Sequence, residues 1–256
     1  MQIEELKKIV QNLIDTFEEA GNVALELRKK GLKKELKEDN TPVTNGDIAV
    51  NDILLKKISY LTPDIPIVSE EISKNKNNKN LKDFWLIDPI DGTSSYINNQ
   101  DEFTINAALI INKKPAAGII NAPEKGRLFY SYGHTNSFEI VNNKEIKLFN
   151  NKKNKKEITA VTYSNELKPE ILKYHKKFNV SKFKKMKSSL KFCVIAAGEF
   201  DLYIADARAN EWDIAAGHAI LEHSGGTLTD FNENEILYGK PNFKNPSLIL
   251  KGKNLV

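Results

Sequence analysis

The chain has 256 residues, 40% of them hydrophobic and 28% charged, with a formal net charge of +4 and a pI near 8.8. That is enough apolar material for a sizeable core in one large domain or two small ones. A single cysteine, Cys193, excludes an internal disulfide and an all-cysteine metal site, and no apolar run reaches the 18 residues that a membrane-spanning helix needs. The opening Met1-Gln2-Ile3-Glu4-Glu5-Leu6 is acidic and amphipathic, unlike a secretory signal, so cytoplasm is the expected compartment. The lysine runs Lys152 to Lys156 and Lys182 to Lys187 match no known nucleic-acid motif. They are expected to be solvated loops that help attract an anionic substrate.

In chain order, apolar residues from Ile3 to Leu27 recur at helical spacing, and Gly31 is a plausible stop. Gly21 interrupts the pattern, which leaves one long helix or two. Residues 47–61 predict a second amphipathic helix, with Asp47 near its positive end. Pro66 to Ser69 predicts a short strand ending at Glu70-Glu71, and the polar stretch 73–82 a surface loop. Phe84 to Ile87 predicts a buried strand that delivers Asp88. Strands are expected at 103–111 and 116–120 around a turn at 112–115, then at 128–132 and 137–141. The Asn- and Lys-rich stretch 142–157 is the best candidate for a boundary, dividing residues 1–150 from 151–256 within one catalytic unit. Beyond it, strands are expected at 158–163 and 202–204. Helices are expected at 169–178, 190–197 and 214–223, the last closed by Gly225-Gly226. This mixture implies a layered α/β architecture.

The most informative stretch is Trp85-Leu86-Ile87-Asp88-Pro89-Ile90-Asp91-Gly92-Thr93. Two aspartates at the mouth of an apolar strand aim hard oxygen ligands at one place, which suits magnesium. Gly92 and Thr93 would supply backbone N–H groups and a hydroxyl suited to phosphate oxygens. Taken alone, the same residues fit an ordinary turn. Glu70-Glu71 is either a solvated pair opening a loop or the source of another ligand. Glu211-Trp212-Asp213-Ile214-Ala215-Ala216-Gly217-His218 places Asp213 where a helix N-cap belongs, and a plain cap is its bland explanation. His218 and His223, five apart, have the wrong separation for a shared-face zinc pair. Cys193, between Phe192 and Val194, is expected in the core.

Together these pieces resemble the inositol monophosphatase superfamily. Asp88-Pro-Ile-Asp-Gly-Thr93 and Trp212-Asp-x-Ala-Ala-Gly217 resemble its two signatures, and Glu70-Glu71 and Thr41-Pro-Val-Thr-Asn-Gly-Asp47 its other landmarks. Phe103-Thr-Ile-Asn106 and Ser188-Ser-Leu-Lys-Phe-Cys193 look most like the bacterial 3'(2'),5'-bisphosphate nucleotidases of that superfamily. The resemblance runs from about residue 5 to the end. It implies an α-β-α-β-α sandwich and two or three magnesium ions held by Glu70, Asp88, the Ile90 carbonyl, Asp91 and Asp213. Catalytic roles would fall to Asp47, Glu70 and Thr93, with Asp47 and Thr93 orienting and deprotonating the attacking water. Gly92, Thr93, Ser94 and Asp213 would contact the phosphate, and Ser188, Lys191 and Arg208 a second phosphate.

The implied substrate is a small phosphorylated metabolite, adenosine 3',5'-bisphosphate or its sulfated form, rather than a nucleic-acid polymer. The resemblance also implies lithium sensitivity, while a homodimer and association with the inner face of the cell membrane stay open. Two departures concern the substrate. Ser94 stands where close relatives carry lysine, and Ala205-Asp206-Ala207-Arg208 lacks a common Pro-Arg-Phe-Gly. The rival activities are an inositol monophosphatase or a sugar bisphosphatase on the same scaffold. A basic nucleic-acid-binding module is the rival from another class.

Overall fold

The computed structural model describes residues 1–37, 40–71, 81–148 and 157–256. The expected loop at 73–82 and the Lys152–Lys156 run lie almost wholly or wholly outside these residues.

The first helix, α1 (Ile3–Lys30), is continuous. Glu4 and Glu5 in its first turn and Arg28 to Lys30 in its last complement the helix dipole. Gly21 is no weak point. A side chain there would collide with Asn121 and Pro123, so the glycine lets α1 lie close against the sheet. Strands β1 (Lys34–Leu36) and β2 (Pro42–Thr44), neither expected from the sequence, form an antiparallel hairpin that leads into α2 (Asn45–Leu61).

Next come β3 (Ile67–Ser69), β4 (Phe84–Asp91), the short α3 (Thr93–Ile97), β5 (Thr104–Ile111) and β6 (Lys114–Ala122). The turn between β5 and β6 is two residues long, not four. Asn112 and Lys113 both take positive φ, 50° and 64°, as a type I′ hairpin requires. β7 (Arg127–Ser131), β8 (Ser137–Val141) and β9 (Lys144–Lys147) complete a seven-stranded sheet in the order β3-β4-β5-β6-β7-β8-β9. β3 runs parallel to β4, and every other neighbouring pair is antiparallel.

The remaining elements are β10 (Ile158–Thr162), α4 (Pro169–Lys177), β11 (Val180–Lys185), α5 (Leu190–Ala196), β12 (Leu202–Ala205), α6 (Glu211–His223), β13 (Thr227–Thr229) and β14 (Leu248–Lys251). Their strands form a second sheet in the order β11-β10-β12-β14-β13. β11 corrects the expected loop at 182–187: the lysines decorate an exposed edge strand, where such charges discourage pairing with another chain.

Alternation along β4 builds the layers. Trp85 and Ile87 point to a core shared with α1 and α2. Phe84 and Leu86 point the other way, into a core with α5 and α6 that Val161, Tyr203 and Leu250 of the second sheet close from the far side. Ile171 of α4 covers the outer face of that sheet against Ala160, Leu202 and Ile204. The result is the expected α-β-α-β-α stack. In β4, Asp88 continues the parity of Phe84 and Leu86, so it projects toward α6. No helix among the described residues is long and apolar enough to cross a membrane.

Candidate active site

Two strands and two helix starts bring the acids together. Glu70 follows β3, and its N–H donates to the Ile87 carbonyl of β4 at 3.0 Å, fixing it beside Asp88. Asp213 sits at the third position of α6, not at its N-cap. Asn210 is the cap, and its N–H donates to Asp213 Oδ2 at 2.7 Å. One carboxylate oxygen thus stays with the helix while the group faces the sheet. Glu70, Asp88 and Asp213 each offer an oxygen within 4.8 Å of the others. Asp91 ends β4, and the Ser189 N–H donates to its Oδ2. Asp47 has a helix position equivalent to that of Asp213: Thr44 caps α2, and its N–H and hydroxyl donate to Asp47 Oδ2 at 2.8 and 2.6 Å.

Electrostatics at this place run against the acids. Burial, and then the charges of Glu70, Asp91 and Asp213, push the Asp88 carboxyl well above the usual range. Burial and the charges of Asp91 and Glu70 do the same to Asp213. Burial also raises Asp91 and Asp47, against the opposing pull of Lys191 on Asp91 and of the Thr44 hydrogen bonds on Asp47. Asp88 Oδ1 is buried and has no hydrogen-bond partner. Buried like charges with an orphaned oxygen are relieved by a cation, and a set made only of oxygen donors fits magnesium. The residues present therefore fit the ions that the sequence implied.

Thr93 opens α3, and its hydroxyl lies 3.1 Å from the Ile90 carbonyl and 3.4 Å from Asp47 Oδ1. The Ile90 carbonyl, named as a ligand, is engaged by Thr93, while the Ile90 side chain is buried among the residues that face α1 and α2. Gly92 takes φ 90°, a left-handed turn that starts α3, and a side chain there would crowd the Glu102 carbonyl and Ser188.

Beside the acids opens a cavity of about 390 Å³, whose walls include Asp91, Gly92, Ser94, Ser188, Lys191, Arg208 and Asp213. Every substrate contact expected from the sequence lines it, except Thr93, which sits between Asp47 and Ile90. Lys191 is buried, its ammonium donating to the Ser188 carbonyl. Burial, reinforced by the charge of Arg208 and opposed by that of Asp91, holds it down to about 8.

Other residues of the site went unread in the sequence. Lys37, just after β1, bridges Glu70 at 3.1 Å and Glu71 at 2.7 Å, and burial leaves the Glu71 carboxyl raised to about 7. One lysine among many in a polar stretch carries no signal of that contact. Asn106, paired in register with Asp88, is buried with both amide atoms unpartnered. Tyr163 and Tyr203 stand on the cavity wall. His218 and His223 are both buried: His218 Nδ1 meets the Tyr238 hydroxyl at 2.8 Å, and the Gly133 N–H donates to His223 Nδ1 at 3.1 Å. Cys193 lies in the core.

Comparison with known proteins follows the same outline. The inositol monophosphatase family model matches residues 5–254. The 3'(2'),5'-bisphosphate nucleotidase CysQ of Buchnera aphidicola is 37% identical over 249 residues, covering 93% of this chain and 92% of its own. That of Aggregatibacter actinomycetemcomitans is 30% identical, covering 94% and 92%. Among solved structures, CysQ from Bacteroides thetaiotaomicron superposes with a TM-score of 0.78 at 27% identity, covering 95% of this chain and 96% of that one. With a match along nearly its whole length and the two signature segments converging on one acidic cluster, the chain belongs to the inositol monophosphatase family.

Proposed function

We propose that this chain is a magnesium-dependent phosphomonoesterase that removes the 3'-phosphate of adenosine 3',5'-bisphosphate, and of its sulfated form, by direct attack of water. One observation carries the reading: the carboxylate cluster of Glu70, Asp88 and Asp213 opens beside a cavity whose walls also carry Lys191 and Arg208. An acidic end suits a metal-bridged phosphate, and a cationic wall suits a second anion. The names of the nucleotidase relatives support the same substrate class.

Two or three magnesium ions bound by Glu70, Asp88, Asp91, Asp213 and the Ile90 carbonyl would neutralise the phosphoryl oxygens and acidify the attacking water. The protein's own part is positioning and proton transfer. The Thr93 hydroxyl, 3.4 Å from Asp47 Oδ1, is placed to orient the water and pass its proton to that carboxylate. Asp47 is buried, and its raised basicity suits it to accept. Glu70 holds its face of the site, and the amides that open α3 at Gly92, Thr93 and Ser94 receive the phosphate oxygens. Residues 1–150, with most of the acids, and 151–256, with Asp213 and the cationic wall, act as two halves of one catalytic unit.

The test is phosphate release from 3',5'-bisphosphonucleotides, inositol phosphates and sugar bisphosphates, with and without magnesium. The bisphosphonucleotides are expected to lead, and release is expected to stop in chelator. Preferential turnover of an inositol phosphate or a sugar bisphosphate would move the assignment to that activity on the same scaffold.

A further inference from the structure

The cavity that Asp91 and Asp213 line also carries two cations, each seated on a tyrosine. The Arg208 guanidinium carbon lies 4.0 Å from the centre of the Tyr163 ring. The Lys191 ammonium lies 5.4 Å from that of Tyr203. The sheet dictates the pairing. Val161 of β10 is in register with Tyr203 of β12, so Tyr163, two residues on, points to the same side. Arg208 lies on the exposed segment between β12 and α6. Its neighbour Asp206 is bound to Lys168 instead, and Arg208 forms no ion pair with a carboxylate among the described residues.

An exposed arginine is ordinarily a mobile charge. Stacked on an aromatic face, its planar fork acquires a fixed orientation with its N–H edges free for a bidentate anion. The two cations also feel each other, since the charge of Arg208 helps to hold down the proton affinity of Lys191. An anion between them would relieve that repulsion.

We propose that Tyr163 is a specificity-determining positioning residue, its ring holding the Arg208 guanidinium where it meets the second, non-scissile phosphate of a nucleoside bisphosphate. This rests on the phosphatase reading above and adds the device that selects for two phosphates. It also accounts for Ala205-Asp206-Ala207-Arg208: the cation enters from the end of that segment, supported by a tyrosine of the neighbouring strand.

The test compares kcat/KM for adenosine 3',5'-bisphosphate with that for adenosine 3'-monophosphate. Tyr163→Leu is expected to lower the bisphosphate-to-monophosphate ratio about tenfold, through KM and not kcat. Tyr163→Phe, which keeps the ring, is expected to preserve the ratio. Arg208→Lys, which keeps the charge but not the planar stack, should fall as far as Tyr163→Leu, and it probes the same pairing at an exposed position. In an Arg208→Ala background, Tyr163→Leu should lower the ratio no further. An unchanged ratio in Tyr163→Leu or in Arg208→Lys, an equal loss in Tyr163→Phe, or a full additional loss in the Arg208→Ala background would each overturn the proposal. Failure of the unaltered protein to release phosphate from either nucleotide would instead strike the phosphatase reading itself.

Discussion

Replacing Asp88 by asparagine should make the metal-free protein more stable while removing its response to magnesium. Asp88 is buried, and two other carboxylates have oxygens within 4.8 Å of one of its own. At an effective dielectric of about 20, each such neighbour costs about 3.5 kcal/mol, so ionised Asp88 carries about 7 kcal/mol of repulsion. The alternative is to protonate a carboxyl whose ordinary pKa is 3.8, which at pH 8 costs about 6 kcal/mol. The metal-free wild type must bear the smaller of these. Asparagine bears neither, can donate to Glu70, and gives back about 2 kcal/mol for a buried amide with incomplete partners.

The net gain is about 3 to 4 kcal/mol at pH 8, or on the order of 10 °C in melting temperature for a chain of this size. The sign fixes the pH window. The folded carboxyl titrates above its unfolded value, so its penalty is absent near pH 4 and grows as pH rises until the folded group ionises. Thermal melts in EDTA at pH 8 and pH 4.5 would show the advantage of the variant at the first and little of it at the second. Magnesium at about a hundred times its dissociation constant should raise the wild type by about 3 kcal/mol and leave the variant almost unmoved. A variant that melts at or below the wild type in EDTA at pH 8 would refute the charge crowding.

Further outcomes follow from the same structure. Asp91→Asn keeps the oxygen that accepts from Ser189 but loses a negative charge that the proposed reaction uses to hold magnesium. It should fold with an unchanged circular dichroism spectrum and lose about 10² to 10³ in kcat, measured by phosphate release. His223 is held down to about 4 by burial, with Glu222 opposing, against an ordinary 6.5. Neutral in both states above 6.5, it begins to weaken the fold below that value and by pH 4 has removed about 3 kcal/mol. His223→Asn should accordingly show a smaller fall in urea midpoint between pH 7 and 4.5 than the wild type. Gly217→Ala drives a methyl into Phe192 of α5 and should cost about 1 to 3 kcal/mol in denaturant unfolding.

What the sequence revealed divides along physical lines. The strand and helix cores were legible because apolar spacing is a local signal: β5 and α1 stand within a residue or two of their expected ranges, and β4 starts where expected but runs on through Asp91. All the missed strands but β14, whose Leu248-Ile249-Leu250 run is apolar and buried, lack that signal. β9 and β11 are edge strands of mostly exposed residues, and β1, β2 and β13 have three residues each, too few for periodicity to show. Asp88 and Asp91 stood out at the mouth of an apolar strand, while Glu70, Asp213 and Asp47 became legible as site residues only through the family resemblance. Lys37, Tyr163 and Tyr203 were not legible, since their importance lies in contacts between distant segments. Asp213 was placed on the right helix end but at the cap, because the polar Asn210 and Glu211 before it hid the first turn.

Two of the acids hold more than the site. Asp47 and Asp213 each close a capping box at the third position of a helix, so α2 and α6 begin where they do partly because those carboxylates are there. Asp88 gives nothing comparable, for one of its oxygens has no partner at all. Random drift toward inactivity is therefore channelled. A lineage losing activity through Asp88 sheds charge crowding and gives up no helix cap, while one losing it through Asp47 or Asp213 sheds buried charge too but surrenders about 1 kcal/mol of helix start each time. Inactive descendants of this scaffold should accordingly lose the strand acid more readily than either of those two aspartates.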